Sequence, residues 1–349
     1  VSSEVTLFNE EAIRVDNNSS KAIEKSFFNE NFRRVDYSQI GTIHDIVNKE
    51  KCVKYRNAVE DKINHGIITC GGFKVAVDVM HGTTSELVPA LLNYLGVENV
   101  ILNAYYDEKK LSNIQALEKK SELNISSIVK SLEYDMGLLI YPNAQKVSIV
   151  TEEGEVLDKV KALYTVLSLC NMDAIEQKKR VFLPTWAPDI KHFENLEIER
   201  GKYANFTAAQ LMKYDLVATV DGNYSFSEFS YTRDAIYSSL KIMELLSCHQ
   251  VKLSTLTQGI DDFYYKIFKI ECSQALKGKM MRKFLETSKG KKSSSVDGIK
   301  IWEDNNDWIL MIPDQYSEHL NIYIQAIDDA HGNAIYEKYS SKISKWSQS

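Results

Sequence analysis

Turn-forming residues are scarce in this chain. Fifteen glycines and five prolines make up about 6% of its 349 residues, against about 12% in average usage. That scarcity excludes collagen-like, mucin-like and long flexible-linker chains. A dominant charge is missing too, because 42 basic and 48 acidic residues leave a formal charge of −6 and a pI near 5.8. Nothing in that balance favours nucleic acid or an anionic membrane surface, and neither is expected as a partner. No run approaches the roughly 20 apolar residues that span a bilayer. The opening Val1-Ser2-Ser3-Glu4 has no basic region followed by an apolar one, so no secretory leader is expected. A start on Val rather than Met suggests a trimmed piece of a longer polypeptide. The five cysteines, Cys52, Cys70, Cys170, Cys248 and Cys272, stand singly, are odd in number and form no C-x-x-C. They suit buried or free thiols in a reducing compartment, which points to the cytoplasm. The common signatures are absent: no G-x-G-x-x-G, no Walker A loop, no H-E-x-x-H and no G-x-S-x-G.

What is present is core-forming sequence. Hydrophobic residues make up 44% of the chain, enough for buried cores, and the length suits two to three domains at roughly 150 residues each. Residues 1–50 are polar, with an amphipathic helix expected around Ser20–Phe28 and another over Tyr55–Ile63. The texture then changes to strand and helix in alternation. Phe73–Val79 is an apolar, β-branched run typical of a buried strand. Helix Glu86–Leu95 follows, with Thr84 or Ser85 expected as N-cap, then strand Asn99–Leu102, helix Ile125–Leu132, strands Gly137–Ile140 and Val147–Val150, and helix Asp158–Leu169. A second such unit reads as strand Arg180–Leu183, helix Thr207–Lys213, strand Leu216–Val220 and helix Arg233–Leu246. This spacing predicts tandem three-layer α/β/α domains with parallel-rich sheets, and the two units look like distant duplicates. The last ninety residues read as an α+β domain: strand Tyr264–Glu271, helix Ser273–Glu286, a basic Ser-rich loop Lys289–Ser295, strands Gly298–Trp302, Trp308–Ile312 and Leu320–Ala326, and helix Asp328–Ile343.

Most local clusters have ordinary explanations. Cys248-His249 sits at a helix end, where a cation suits the dipole. Asp261-Asp262 and Asp328-Asp329 precede helices as caps, and Asp304-Asn305-Asn306-Asp307 is a hairpin turn without the Glu of a calcium loop. Lys289–Ser295 is a solvated loop, Asp78 ends its strand by bonding nearby amides, and His81 closes the turn into the next helix.

One junction says more. Gly137–Ile140, Tyr141-Pro142-Asn143-Ala144-Gln145-Lys146, Val147–Val150 and then Glu152-Glu153-Gly154 is strand, tight loop, strand and acidic turn. Here the sequence resembles the α-D-phosphohexomutases (phosphomannomutases and phosphoglucomutases). Their second domain has a strand, a D-x-D-x-D-R metal loop, a strand and an acidic turn with Gly. Lys74–Gly82 with Val88–Gly96 is similar to that domain's opening. Asp221–Phe229 with Arg233-Asp234-Ala235 is similar to the third domain's sugar-recognition loop, and Asp297–Ala326 to the fourth domain around its phosphate loop. The resemblance covers roughly residues 70–349 and implies four parts: 1–69 as a remnant of domain I, 70–175, 176–258, and 259–349.

The departures bear on chemistry. Tyr141, Asn143 and Gln145 stand where three aspartates would hold Mg²⁺, and Lys146 replaces the arginine. Neutral amide oxygens are weak ligands for a hard cation. The family's G-E-x-S-G-H is replaced by Gly222–Phe229, and R-P-S-G-T-E-P by Ile312-Pro313-Asp314-Gln315-Tyr316-Ser317-Glu318. No T-A-S-H-N-P-like phosphoserine loop occurs. Phe32–Asp36, Gln39-Ile40-Gly41, Ser225–Phe229 and Met311–Asp314 resemble the mutase-like modules fused behind a sugar-1-phosphate nucleotidyltransferase. The resemblance therefore implies a degenerate module that binds a sugar phosphate or sugar nucleotide, or scaffolds its partner domain, without mutase activity alone. Its candidate ligand-binding residues are Asn143, Lys146, Arg200, Lys202 and Arg233, each otherwise a solvated charge or loop cap. No catalytic residue, metal ligand or cofactor is expected. The alternative is an active phosphomannomutase or phosphoglucomutase once joined to its upstream domain. That reading would need Mg²⁺, with Asp135, Glu152 and Glu153 the nearby acids.

Overall fold

A computed structural model describes residues 5–43, 48–189, 193–203, 206–258, 260, 263–303, 307–314 and 317–348. The expected caps Asp261-Asp262, most of the Asp304–Asp307 turn, and Gln315 and Tyr316 lie outside the described residues. The chain divides into two compact units: Val1–Phe182 with Phe193–Ile198 and Ala204–Thr257, and Leu183–His192 with Glu199–Tyr203 and Gln258–Ser349.

The first unit begins with helices α1 (Asn17–Phe28), α2 (Asn48–Glu60) and α3 (His65–Gly71). Asp16 caps α1 by accepting the amides of Asn18 and Ser19. The first sheet contains β1 (Lys74–Asp78), β2 (Glu98–Leu102), β3 (Met136–Ile140) and β4 (Val147–Val150) in the order β2-β1-β3-β4. β1 pairs parallel with β2 and β3, while β4 closes the edge antiparallel to β3. Continuous apolar runs fit these strands, because β1 after Lys74 and β3 throughout are buried. Helices α4 (Leu87–Tyr94) and α5 (Ile114–Leu132) supply the crossovers.

Two expectations need correction here. The N-cap of α4 is Glu86, which makes no side-chain cap bond; the Ser85 hydroxyl instead donates to the Gly82 carbonyl at 2.7 Å. Helix α5 starts eleven residues earlier than its apolar pattern suggests, capped by Asn113. Ser121 occupies a buried position that the apolar period would give to an aliphatic residue, which hides the first three turns.

After α6 (Lys159–Asp173), capped by Asp158, comes a second four-stranded sheet. It contains β5 (Lys179–Pro184), β6 (Leu196–Gly201), β7 (Leu216–Ala218) and β8 (Tyr224–Phe226) in the order β6-β5-β7-β8. Its plan matches the first: β5 pairs parallel with β7, and β8 is an antiparallel edge. β6 and β8 were not expected, being respectively charge-alternating and only three residues long. Between β6 and β7 lies α7 (Ala208–Leu211). Helix α8 (Ala235–His249), buried over most of its length, packs on α3, α6, β3, β4 and β8. Eleven of its fifteen residues are buried, so neighbours must enclose it on most sides. The short α9 (Leu253–Gln258) ends the unit.

The second unit is a five-stranded antiparallel sheet under two helices. Its strands are β9 (Tyr264–Glu271), β10 (Ser293–Ser294), β11 (Ile299–Trp302), β12 (Trp308–Pro313) and β13 (His319–Ala326), in the order β10-β11-β12-β13-β9. α10 (Gln274–Glu286) and α11 (Asp329–Gln348) bury Met280, Phe284, Ile335 and Tyr339 against Ile301, Ile309, Met311 and Ile322. β13 alternates strictly between buried and half-buried residues, as a sheet with two unlike faces requires.

A carboxylate ties this unit together. Glu303 accepts from Lys291 at 2.7 Å, Lys338 at 3.0 Å and the Tyr339 hydroxyl at 2.5 Å. Burial alone would raise its pKa; the bonds from Lys291, Tyr339 and Lys338 outweigh that and hold it at about 2. Because this is below the ordinary 4.5, the stabilisation is complete above that value and is lost as pH falls toward 2. Glu303→Gln should cost about 2 kcal/mol at pH 7, a difference that narrows at pH 3. Urea midpoints of both proteins at the two pH values check this.

Candidate functional site

The loop between β3 and β4 turns within six residues. The Tyr141 amide donates to the Lys146 carbonyl at 3.0 Å and the Ala144 amide to the Tyr141 carbonyl at 2.8 Å. Ala144 takes a positive φ of 56°, and the Asn143 side chain accepts the Gln145 amide at 3.2 Å, an Asx turn. Three segments clamp this hairpin. Thr83 donates its amide and hydroxyl to the Pro142 carbonyl, each at 3.0 Å. Gly82 lies so close that a Cβ there would stand 2.3 Å from Pro142 Cα. On the other side the Gly222 carbonyl accepts the Val147 amide at 3.0 Å, and the Ala235 amide donates to the Ala144 carbonyl at 2.8 Å.

Lys146 is the charged centre of the loop. Its ammonium lies 3.3 Å from Glu118 Oε1 and 3.8 Å from the centre of the Tyr141 ring. The Tyr141 hydroxyl donates to the same Glu118 oxygen. Burial lowers the Lys146 pKa, and Glu118 opposes the shift. Burial and the neighbouring Glu118 raise that of Glu122. Glu118 and Glu122 sit one helical turn apart on α5 and were missed because the apolar pattern places the helix start beyond them.

These residues do not fit Mg²⁺. That ion demands near-octahedral oxygen ligation, yet the Asn143 oxygen serves its own loop and an ammonium stands where a second cation would be repelled. Nor can the other acids reach. Asp135 accepts the Lys74 amide at the start of β1, and Glu152 accepts from the Ser254 amide and hydroxyl. Both belong to the far end of the sheet, roughly 16 Å away along a five-residue strand. Among the described residues, no three His, Cys, Asp or Glu side chains converge on one point.

The segment 222–229 is also turned inward. Glu228 accepts from the Tyr237 hydroxyl at 2.7 Å and from Lys241 at 3.0 Å, and Lys241 reaches Glu244 at 2.8 Å. Burial works against the Lys241 charge, but Glu244 and Glu228 together raise its pKa. Phe229 stacks on Tyr237 at 4.2 Å and meets Tyr55 edge-on. Tyr55 in turn donates to both oxygens of Asp234, the N-cap of α8, at 2.8 and 2.9 Å. Burial raises the Asp234 pKa. Arg233 is the residue just before that cap.

In the second unit, Lys277 on α10 closes the segment after β12. Only 6% exposed, it donates to the carbonyls of Asp314 and Ser317, each at 2.6 Å. Asp314 accepts the Ser317 amide at 2.8 Å through one oxygen and Asn321 at 3.4 Å through the other. A phosphate loop offers N–H groups and cations. This one aims carbonyls at its buried ammonium and a carboxylate at the Ser317 N–H.

The remaining candidates lie in this unit. Arg200 donates to the carbonyls of Ala187 and Pro188 at 2.8 and 2.7 Å and sits 3.6 Å from Asp189, so it holds backbone. Lys202 is exposed; burial raises the Asp297 pKa and Lys202 offsets part of that rise. Thus Asn143 and Lys146 share a hairpin, Arg233 precedes the helix bonded to it, and Arg200 and Lys202 belong to the other unit. Sequence reading passed over Lys300 on β11. Its ammonium lies 3.7 Å from the Trp308 ring centre and 3.4 Å from Asp189, and burial lowers its pKa to about 8. That value lies below the ordinary 10.5, so wild-type stability should rise as pH climbs from 8 toward 10.5. Lys300→Met should be neutral or stabilising by about 1 kcal/mol at pH 7 and should lack that rise. Thermal melts at pH 7 and 10 read both effects.

Residues 53–154 match the family model for phosphoglucomutase/phosphomannomutase alpha/beta/alpha domain II. The chain is similar to a probable phosphoglucosamine mutase of Methanosarcina acetivorans, 24% identical over 92% of this chain and 73% of that protein. It is 22% identical to the phosphoglucosamine mutase of Methanocaldococcus jannaschii over 96% of this chain and 76% of that one. Among solved structures, a phosphoglucomutase/phosphomannomutase family protein of Burkholderia thailandensis superposes with a TM-score of 0.76 at 15% identity, covering 95% of this chain and 71% of that chain. Likeness at that distance establishes a fold, and the fold is that of the phosphohexomutases. No helix among the described residues is long and apolar enough to cross a membrane.

Proposed function

We propose that this phosphohexomutase-fold chain is a module that binds a sugar phosphate or sugar nucleotide, or scaffolds the domain it is joined to, without interconverting hexose phosphates on its own. The observation that carries this is the closure around Asp314 and Ser317, where the Lys277 ammonium is spent on two carbonyls and Asp314 takes the Ser317 amide, so the cation and the N–H a phosphate would need are already used. The hairpin 141–146 and the segment 222–229 support it, since their polar side chains are likewise engaged within the chain. Phosphoryl transfer depends on cations and donors aimed at the transferring group, and here those groups are spent on structure. Asn143, Lys146, Lys202 and Arg233 are the proposed ligand contacts, Asn143 and Lys146 by exchanging their bonds within the chain for the ligand; Arg200 acts through the backbone it holds. The proposal includes the four-part division at 69, 175 and 258, a sugar-phosphate nucleotidyltransferase domain upstream as partner, and a cytoplasmic location. Cys70, Cys170, Cys248 and Cys272 are free thiols, in keeping with that location.

A thermal-shift series tests the reading. Mannose, glucose and glucosamine phosphates and GDP-mannose would each be tried with Mg²⁺ and with EDTA. A ligand at a hundred times its Kd should add about 2.7 kcal/mol to the fold that binds it. The reading expects a shift with one sugar that EDTA leaves unchanged; a shift that needs Mg²⁺ overturns it.

A second reading has its own support. The relatives named as mutases align with more than nine-tenths of this chain, which favours an active phosphohexomutase once the upstream domain is present. That enzyme would have to hold Mg²⁺ with groups other than those of the 141–146 hairpin.

A further inference from the structure

We propose that the Lys146 ammonium is a resident cation that takes the place of a divalent metal ion at the carboxyl end of β3, inside a latent metal site supplied by α5. The structure has moved the acids from the loop to the helix. Glu118, Ser121 and Glu122 fall at i, i+3 and i+4, which puts them on one face of α5. Ile125, one turn further on, is fully buried with Val129 in the core beside β1 and β3, so the same face reaches the hairpin one turn above that core. Glu118 accepts from both Lys146 and the Tyr141 hydroxyl. Glu122 is within electrostatic reach of both Glu118 and Lys146. The Ser121 hydroxyl, only 1% exposed, has no hydrogen-bond partner among the described residues. Two carboxylates and a phenol oxygen are thus gathered about one ammonium, with the buried, unpartnered Ser121 hydroxyl on the same face of the helix. These are hard oxygen donors of the kind a divalent ion takes.

The ammonium is fixed as a metal ion would be. The Lys146 carbonyl closes the hairpin by accepting the Tyr141 amide, and the side chain lies over the Tyr141 ring face, a cation–π contact. Its charge offsets one of the two carboxylates, so removing it leaves two acids facing each other. Such a pair is relieved by taking up a proton or a cation, and a divalent ion supplies hard ligation to both oxygens. The chain therefore keeps this corner ordered, with one of its two carboxylates neutralised, without a metal, and whatever phosphate it binds, it binds without a divalent ion.

The test is a Mn²⁺ titration followed by the paramagnetic resonance of the free ion, with wild type, Glu118→Gln, Lys146→Ala, Lys146→Arg and the double variant Lys146→Ala/Glu118→Gln. Circular dichroism establishes that each is folded. Lys146→Ala should bind one Mn²⁺ at least about tenfold more tightly than wild type, within the range of weak oxygen-donor sites. Lys146→Arg, which keeps the cation, should resemble wild type, and the double variant should lose the gain. Mn²⁺ binding by wild type that Glu118→Gln removes would overturn the proposal, as would a folded Lys146→Ala that gains nothing. The titration uses no sugar, so its outcome is independent of the ligand reading above.

Discussion

Replacing Lys277 by methionine should cost the second unit about 3 kcal/mol, and more if the segment after β12 cannot rearrange. The methionine keeps most of the apolar stem, so the packing of that stem survives and the loss is electrostatic. Lys277 is 6% exposed and donates at 2.6 Å to the carbonyls of Asp314 and Ser317. Hydrogen bonds to a charged donor contribute about 1.5–3 kcal/mol each, and acceptors left buried without water add a desolvation cost. Urea unfolding followed by tryptophan fluorescence reads the change, because Trp302 and Trp308 lie in the same sheet. A loss below about 1 kcal/mol would mean that water reaches those carbonyls as readily as the lysine does.

Gly222→Ala should be comparably severe, for a backbone reason. Gly222 has φ +76°, and a Cβ there would stand 2.3 Å from the Val147 carbonyl oxygen. The left-handed conformation costs an alanine about 1–2 kcal/mol. Relieving the clash must shift the strand that begins at Val147, bringing the total to about 3 kcal/mol or more. The effect should also reach the candidate site, since the Gly222 carbonyl accepts the Val147 amide at the foot of the 141–146 hairpin. Gly278→Ala is the matched control. It lies within α10, and a Cβ there would meet nothing within 4 Å. That substitution should stabilise by about 0.5–1 kcal/mol through helix propensity. Chemical melts of the two variants side by side should move in opposite directions.

The fold was legible wherever burial leaves a simple pattern. Val147–Val150 and Tyr264–Glu271 come out with the expected bounds, one as a mostly buried edge strand and the other as a half-exposed edge strand. The reading faltered where polar residues occupy structural positions. Ser121 interrupts the apolar stripe of α5, and the glutamates of Leu196–Gly201 make β6 look like a solvated loop. In the candidate site, the loss of aspartates from 141–146 and the Asp314 substitution were visible in the residues themselves. Their consequences were not. Glu118 lies 28 residues before Lys146, and Lys277 lies 37 before Asp314, and no local spacing announces pairs that only tertiary packing brings together. Arg200 shows the converse: a cation suited to phosphate by type is committed to the carbonyls of Ala187 and Pro188.

Phosphorus resonance spectra of glucose 1-phosphate and glucosamine 6-phosphate, incubated with the chain in Mg²⁺ and again in EDTA, report binding and turnover together. The account predicts that the resonance of one sugar phosphate broadens equally in both buffers and that no resonance of the positional isomer appears. An isomer resonance that grows in Mg²⁺ and is abolished by EDTA would contradict it. The loops closed by Lys146, Glu228 and Lys277 would then open to do chemistry.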